Sequence, residues 1–122
     1  MELFAVGVGG AVGALLRYCL SQIVIYEGGF PLATLIANLF GCFLLSFILS
    51  GTLFNKYPHI RLALTTGVLG AFTTFSTFSY ETATLVSDEL YGTAFLYISC
   101  SMIGGLFLSL IGYKLGSGGV RT

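Results

Sequence analysis

Charge is scarce in this 122-residue chain. Charged residues make up 8% of it, against about 25% in ordinary globular proteins. The formal net charge is zero, so there is no electrostatic case for nucleic acid or an acidic partner. Histidine occurs once, at His59 in a polar loop, which leaves no Ser–His–Asp set to assemble. No HExxH, phosphate loop or carboxylate dyad is present, and Gly7, Gly9 and Gly13 do not follow a strand, as a dinucleotide site would require. The three cysteines, Cys19, Cys42 and Cys100, lie in apolar stretches without a CxxC. That pattern argues against a disulfide framework or a zinc site and fits small residues in helix packing. The first residues, "MELFAVGVGG", lack the positive start of a signal peptide and carry Glu2, so they read as the beginning of a span. These absences leave no enzyme chemistry.

Apolar residues are what the chain has in excess. They form 56% of it, and the mean hydropathy is +0.95. Such a surface belongs in a bilayer. A helical span needs about 20 apolar residues, and four segments fit: about 3–26, 32–54, 62–87 and 91–114. They are too long and too little alternating for barrel strands, so the sequence predicts a single all-α membrane domain over 1–122. Four spans put Lys56, Arg61, Lys114 and Arg121 on one side and Glu27, Asp88 and Glu89 on the other, with Arg17 in the outer half of the first span. The positive-inside rule then favours cytoplasmic termini. Gly9 and Gly13, the row Ser101, Gly105 and Ser109, and the pair Gly112 and Gly116 have the small-residue spacing that lets helices approach closely. With so little interior, an oligomer is expected.

The third span is the unusual one. Its middle reads "GAFTTFSTFS", residues 70–79, with hydroxyls at Thr73, Thr74, Ser76, Thr77 and Ser79. Hydroxyls can replace backbone bonds lost where a helix breaks, and interrupted helices at mid-membrane commonly mark ion sites. The pattern predicts a break at about 70–76; the alternative is that the threonines bond back to their own helix and bend it. Hydroxyls serve ions of either sign. Aromatic rings carry a positive edge, and Phe72, Phe75 and Phe78 are three apart, so ring edges turned into a pore would favour a small anion. Core packing is the other reading of that stripe. Asn38, in "TLIANLFG", either lines a pore or bonds two helices together.

The stretches "GGAVGALLRY" (9–18), "PLATLIANLFGCF" (31–43) and "GVLGAFTTFSTFSYE" (67–81) resemble the Fluc (CrcB) fluoride channels. The resemblance covers all four spans in order. It implies two four-helix subunits packed antiparallel in a dual-topology dimer, with two fluoride pores and a central structural sodium ion. It implies passive export of cytoplasmic fluoride across the cell membrane, conferring fluoride resistance. By the same resemblance the backbone carbonyls of Gly70 and Thr73 hold the sodium. Phe75 and Phe78 present ring edges to fluoride, and Asn38 donates to it. Ser76, Thr77, Ser79, Tyr97 and Ser109 supply polar groups along the pore, while Phe72 packs. Arg17 and Glu81 match family residues in the outer half of their spans, either as a pair or snorkelling separately to the interface.

The sequence departs from the family's pattern at two points. An antiparallel homodimer needs a lysine and arginine bias near zero, and here it is four to one or four to zero. Either the bias is too weak to decide insertion, or the chain forms a heterodimer with an oppositely oriented paralogue. Gly105 also stands where better-known relatives carry a serine. A proton-coupled multidrug exporter, also a four-span dimer, needs an acid deep in the first span. This chain has Arg17 there and no acid between Glu2 and Glu27. A non-transporting assembly subunit would leave the hydroxyl cluster without a purpose.

Overall fold

The computed structural model describes residues 1–25 and 29–118. Tyr26, at the expected end of the first span, and the loop charges Glu27 and Arg121 lie outside the described residues. Helix α1 spans Glu2–Ile23, with Glu2 as an acid in its first turn, where the helix dipole favours negative charge. Helix α2, Leu32–Ser50, starts after Pro31 and stops before Gly51, whose backbone is extended. It ends short of residue 54 because 52–55 close a turn, with the Asn55 amide on the Thr52 carbonyl at 3.1 Å.

The third crossing runs from Pro58 to Ser87 in four pieces. Helix α3, Pro58–Leu62, opens on a proline at its first position, where the missing amide proton costs nothing. A π-helical stretch, Ala63–Leu69, leads into α4, Gly70–Phe72, and α5 follows at Phe75–Ser87. Between them Thr73 (φ −79°, ψ 154°) and Thr74 (φ −151°, ψ 120°) are extended. Helix α6, Tyr91–Ser117, is reached through a tight reversal in which Glu89 adopts φ 59°. The Leu90 amide bonds back to the Leu85 carbonyl at 2.9 Å.

Four of these crossings are long and apolar enough to span a membrane. Helix α2 packs along α6, and α1 packs on the π-helical stretch and α4. The core is small: Leu35, Leu85, Ala94 and Tyr97, with Phe30, Leu39, Phe78 and Cys100 against it. Most other large apolar side chains face outward, as suits a chain bathed in lipid rather than water.

Glycine sets the approach of the first and third crossings. A Cβ on Gly9 would strike the Ala63 carbonyl, and one on Gly13 the Val68 carbonyl. The small-residue pair of the first span is therefore used within the chain, against backbone that cannot rotate away. Gly13→Ala should destabilise by about 1–3 kcal/mol, lowering the melting temperature in detergent by roughly 4–12 °C. Gly10→Ala, which would meet nothing within 4 Å, should leave the melt unchanged. Equal melts for the two variants would contradict this packing.

Candidate functional site

The extended residues Thr73 and Thr74 organise the site. An extended pair inside a crossing strands backbone groups that must find other partners. Asn38 of α2 supplies one set. Its amide nitrogen donates to the Thr74 carbonyl at 3.0 Å, and its Oδ1 accepts from the Thr74 amide at 2.8 Å. One side chain thus satisfies both polar groups of one buried residue, as a neighbouring strand would. The amide nitrogen carries two protons, so one remains for another acceptor.

Thr74 also caps α5. Its hydroxyl accepts from the Thr77 amide at 3.1 Å and donates to the Thr77 hydroxyl at 3.0 Å. A hydroxyl has one proton, so in the 3.2 Å contact between Thr74 and Ser76 the donor is Ser76. Among the described residues the Thr77 hydroxyl proton has no acceptor.

The break removes the helical partners of the carbonyls at 70–73, and two of these, Gly70 and Thr73, line the groove. In an unbroken helix the Gly70 carbonyl would accept from the Thr74 amide, and the Thr73 carbonyl from the Thr77 amide. Both amides are committed elsewhere, to Asn38 and to the Thr74 hydroxyl. Gly70 and Thr73 line a groove of about 350 Å³, together with Asn38, Cys42, Phe75, Phe78 and Ser101. This donor set, neutral hard oxygens without a carboxylate, suits a hard cation of low charge. Among the described residues there is no cluster of histidine, cysteine or carboxylate that would suit a transition metal.

The rings form a file across the site. Phe75 and Phe78 have centroids 5.9 Å apart, Phe78 and Tyr97 5.1 Å, and Tyr97 meets Phe30 edge to face at 5.6 Å. Phe75 is 78% exposed on this single chain, whereas Tyr97 is fully buried. Phe72 points elsewhere and packs against Phe40.

Glu81 lies one turn beyond Thr77 on α5. Its Oε1 accepts from the Thr34 hydroxyl at 2.8 Å and its Oε2 from the Tyr97 hydroxyl at 2.7 Å. Two hydroxyls from two other helices thus hold one carboxylate in place. Glu81 shares a cleft of about 290 Å³ with Arg17, Ser21, Thr34, Thr74 and Thr77. Arg17 and Glu81 face that cleft without closing on each other; among the described residues the one base–carboxylate contact within 4 Å is His59 Nδ1 to Glu2 Oε1, at 3.7 Å. Thr74 lines both the cleft and the groove, so the Asn38–Thr74 pair stands between them.

The remaining candidates are scattered. Ser79 is exposed, outside the residues of either cavity. Ser109 makes a long 3.5 Å contact to the Cys42 carbonyl. Thr34 was not singled out by sequence, while Thr74 stood out only as one hydroxyl of the 70–79 stretch and Ser101 only as a small residue in a packing row. Thr34 had a signal, since it stands four residues before Asn38 and so on the same helix face. Thr74 had one as well, a hydroxyl residue preceding the amides it caps.

A family model described as "CrcB-like protein, Camphor Resistance (CrcB)" matches residues 4–113. A Bacillus cereus protein named "Fluoride-specific ion channel FluC 1" is 47% identical over 115 residues, covering 91% of this chain and 84% of that protein. A Staphylococcus aureus protein of the same name is 42% identical over 120 residues, covering 97% of this chain and 98% of that protein.

Proposed function

This chain belongs to the CrcB-like family, and we propose that it is a fluoride-specific channel working as an antiparallel dimer with two pores and a central sodium ion. The observation that carries the reading is the pair of freed carbonyls at Gly70 and Thr73 beside a file of phenylalanine rings. In this reading the third crossing is interrupted near mid-membrane. A two-fold axis in the membrane plane would then bring the two interruptions together.

Gly70 and Thr73 of two copies would hold the sodium through four carbonyl oxygens. The bound ion would raise the local potential felt by nearby anions. Fluoride itself is handled by the chain's own groups. The cleft that holds Arg17, Thr77 and Glu81 admits the hydrated ion. The free protons of Thr77 and Asn38 replace water as donors, and the edges of Phe75 and Phe78 carry the ion past the groove. Ser76 acts through Thr74, to which it donates, Ser109 adds a hydroxyl beyond Cys42, and Ser79, exposed and outside both cavities, has no place on this path. Tyr97 acts through Glu81, fixing the carboxylate so that it does not swing into the path. Stripping water from so small an anion is costly, so rigid donors at fixed positions are the source of selectivity over chloride. High exposure of Phe75 and a groove open on one side fit closure by a second copy.

The deciding experiment is efflux from liposomes containing the purified chain alone, read with a fluoride electrode and repeated with chloride. Fluoride efflux without chloride efflux is expected. Activity only after an oppositely oriented paralogue is added would replace the homodimer with a heterodimer. Fluoride retention in both preparations would refute the channel reading.

A further inference from the structure

Ser101, Gly105 and Ser109 follow one another at four-residue intervals on α6, so they form a row along one face with a gap at its centre. Among the described residues the buried Ser101 hydroxyl has no hydrogen-bond partner, and Ser101 lines the groove. A buried hydroxyl left open in this way calls for an acceptor or donor that is not part of the chain. Gly105 offers no side chain. What faces the gap is Cys42 of α2, whose Sγ lies 3.5 Å from the position a Cβ on Gly105 would take. Cys42 stands four residues after Asn38, on the same helix face, and both line the groove. It is not in a disulfide.

We propose that the Cys42 thiol is a pore-lining donor that fills the gap left by Gly105 in the hydroxyl row. The proposal rests on the groove being the fluoride path. A thiol S–H is a weaker donor than a hydroxyl, but it sits between Ser101 and Ser109, where the row is otherwise apolar. Cys42 and Gly105 together do what a serine on α6 would do alone. A cysteine serving only as a small apolar filler would be indifferent to what replaces it at equal volume.

The test uses four proteins in fluoride-loaded liposomes: wild type, Cys42→Ala, Cys42→Ser and the double variant Cys42→Ala/Gly105→Ser. A Cβ at 3.5 Å is an ordinary contact, so a serine at 105 fits. Rates are compared at equal amounts of protein eluting as the wild type does on size exclusion. Cys42→Ala should slow fluoride efflux about three- to tenfold, Cys42→Ser should retain it, and Gly105→Ser should recover the rate lost in Cys42→Ala. Should Cys42→Ala not elute as wild type, Cys42→Val takes its arm, refilling the volume without a donor. A wild-type rate in Cys42→Ala or Cys42→Val overturns the proposal. So does a loss in Cys42→Ser as large as in the apolar variant, or failure of Gly105→Ser to recover the rate. Absence of efflux in the wild type would instead strike the channel reading itself.

Discussion

Asn38→Ala should abolish most fluoride efflux and also destabilise the protein. The side chain holds both backbone groups of Thr74, with bonds of 2.8 and 3.0 Å, and Thr74 is only 8% exposed. Alanine leaves the Thr74 amide without a partner, at about 1–3 kcal/mol if nothing replaces Asn38, while the Thr74 carbonyl, as the N-cap of α5, keeps its helical bond. Polar contacts between membrane helices average nearer 0.6 kcal/mol, because other partners are found. Here the alternative partner is close at hand. The Thr74 amide can return to the Gly70 carbonyl by rejoining α4 to α5, which would occupy one of the carbonyls proposed to hold the cation. Efflux should therefore fall by more than about tenfold even if the melting temperature drops only a few degrees. Asn38→Asp separates the two roles, since it keeps an acceptor for the Thr74 amide but offers no donor to the Thr74 carbonyl. Liposome efflux and a detergent melt measure the two effects. Wild-type efflux in Asn38→Ala would mean that the extended pair at 73–74 has no part in conduction.

The four crossings were legible in the sequence because hydropathy is a one-dimensional property and a bilayer demands length. Helix ends were less legible. The expected span ran on to 54 because Leu53 and Phe54 are apolar, yet the extended backbone at Gly51 and the turn after it end the helix. The π-helical stretch Ala63–Leu69 left no trace in composition. It packs closely on α1, at Gly9 against Ala63 and Gly13 against Val68, an approach that only the folded chain defines.

At the site, the hydroxyl-rich segment could be seen but its wiring could not. Asn38 was open to two roles from sequence alone, and the geometry gives it a definite set of bonds 36 residues away. The carboxylate of Glu81 drew attention as a charge, while the two hydroxyls that hold it come from α2 and α6. No local pattern joins Thr34, Glu81 and Tyr97. Their meeting is a product of the packing of three helices, and Tyr97 is the largest fully buried side chain there.

Phe75→Ile is the cleanest large-effect test of anion selection, because Phe75 contributes little to the core of the single chain. At 78% exposure its ring has little packing to lose there, and isoleucine is of comparable apolar character. What isoleucine lacks is the quadrupole, the positive ring edge. Ring–ion interactions are worth about 0.5–2 kcal/mol for cations on the face. Losing one edge contact of similar size would slow efflux roughly 2- to 30-fold. Phe78→Ile should slow efflux at least as much, but it also gives up the 5.1 Å ring contact with Tyr97, costing about 0.5–1.5 kcal/mol of stability. Phe72→Leu is the matched control, since Phe72 is buried against Phe40 with centroids 6.4 Å apart. It should lower the melting temperature and leave the fluoride rate per folded protein unchanged. The opposite ordering, with Phe72→Leu slow and Phe75→Ile fast in electrode-monitored efflux, would remove the ring edges from the mechanism and leave selectivity to the hydroxyls and Asn38.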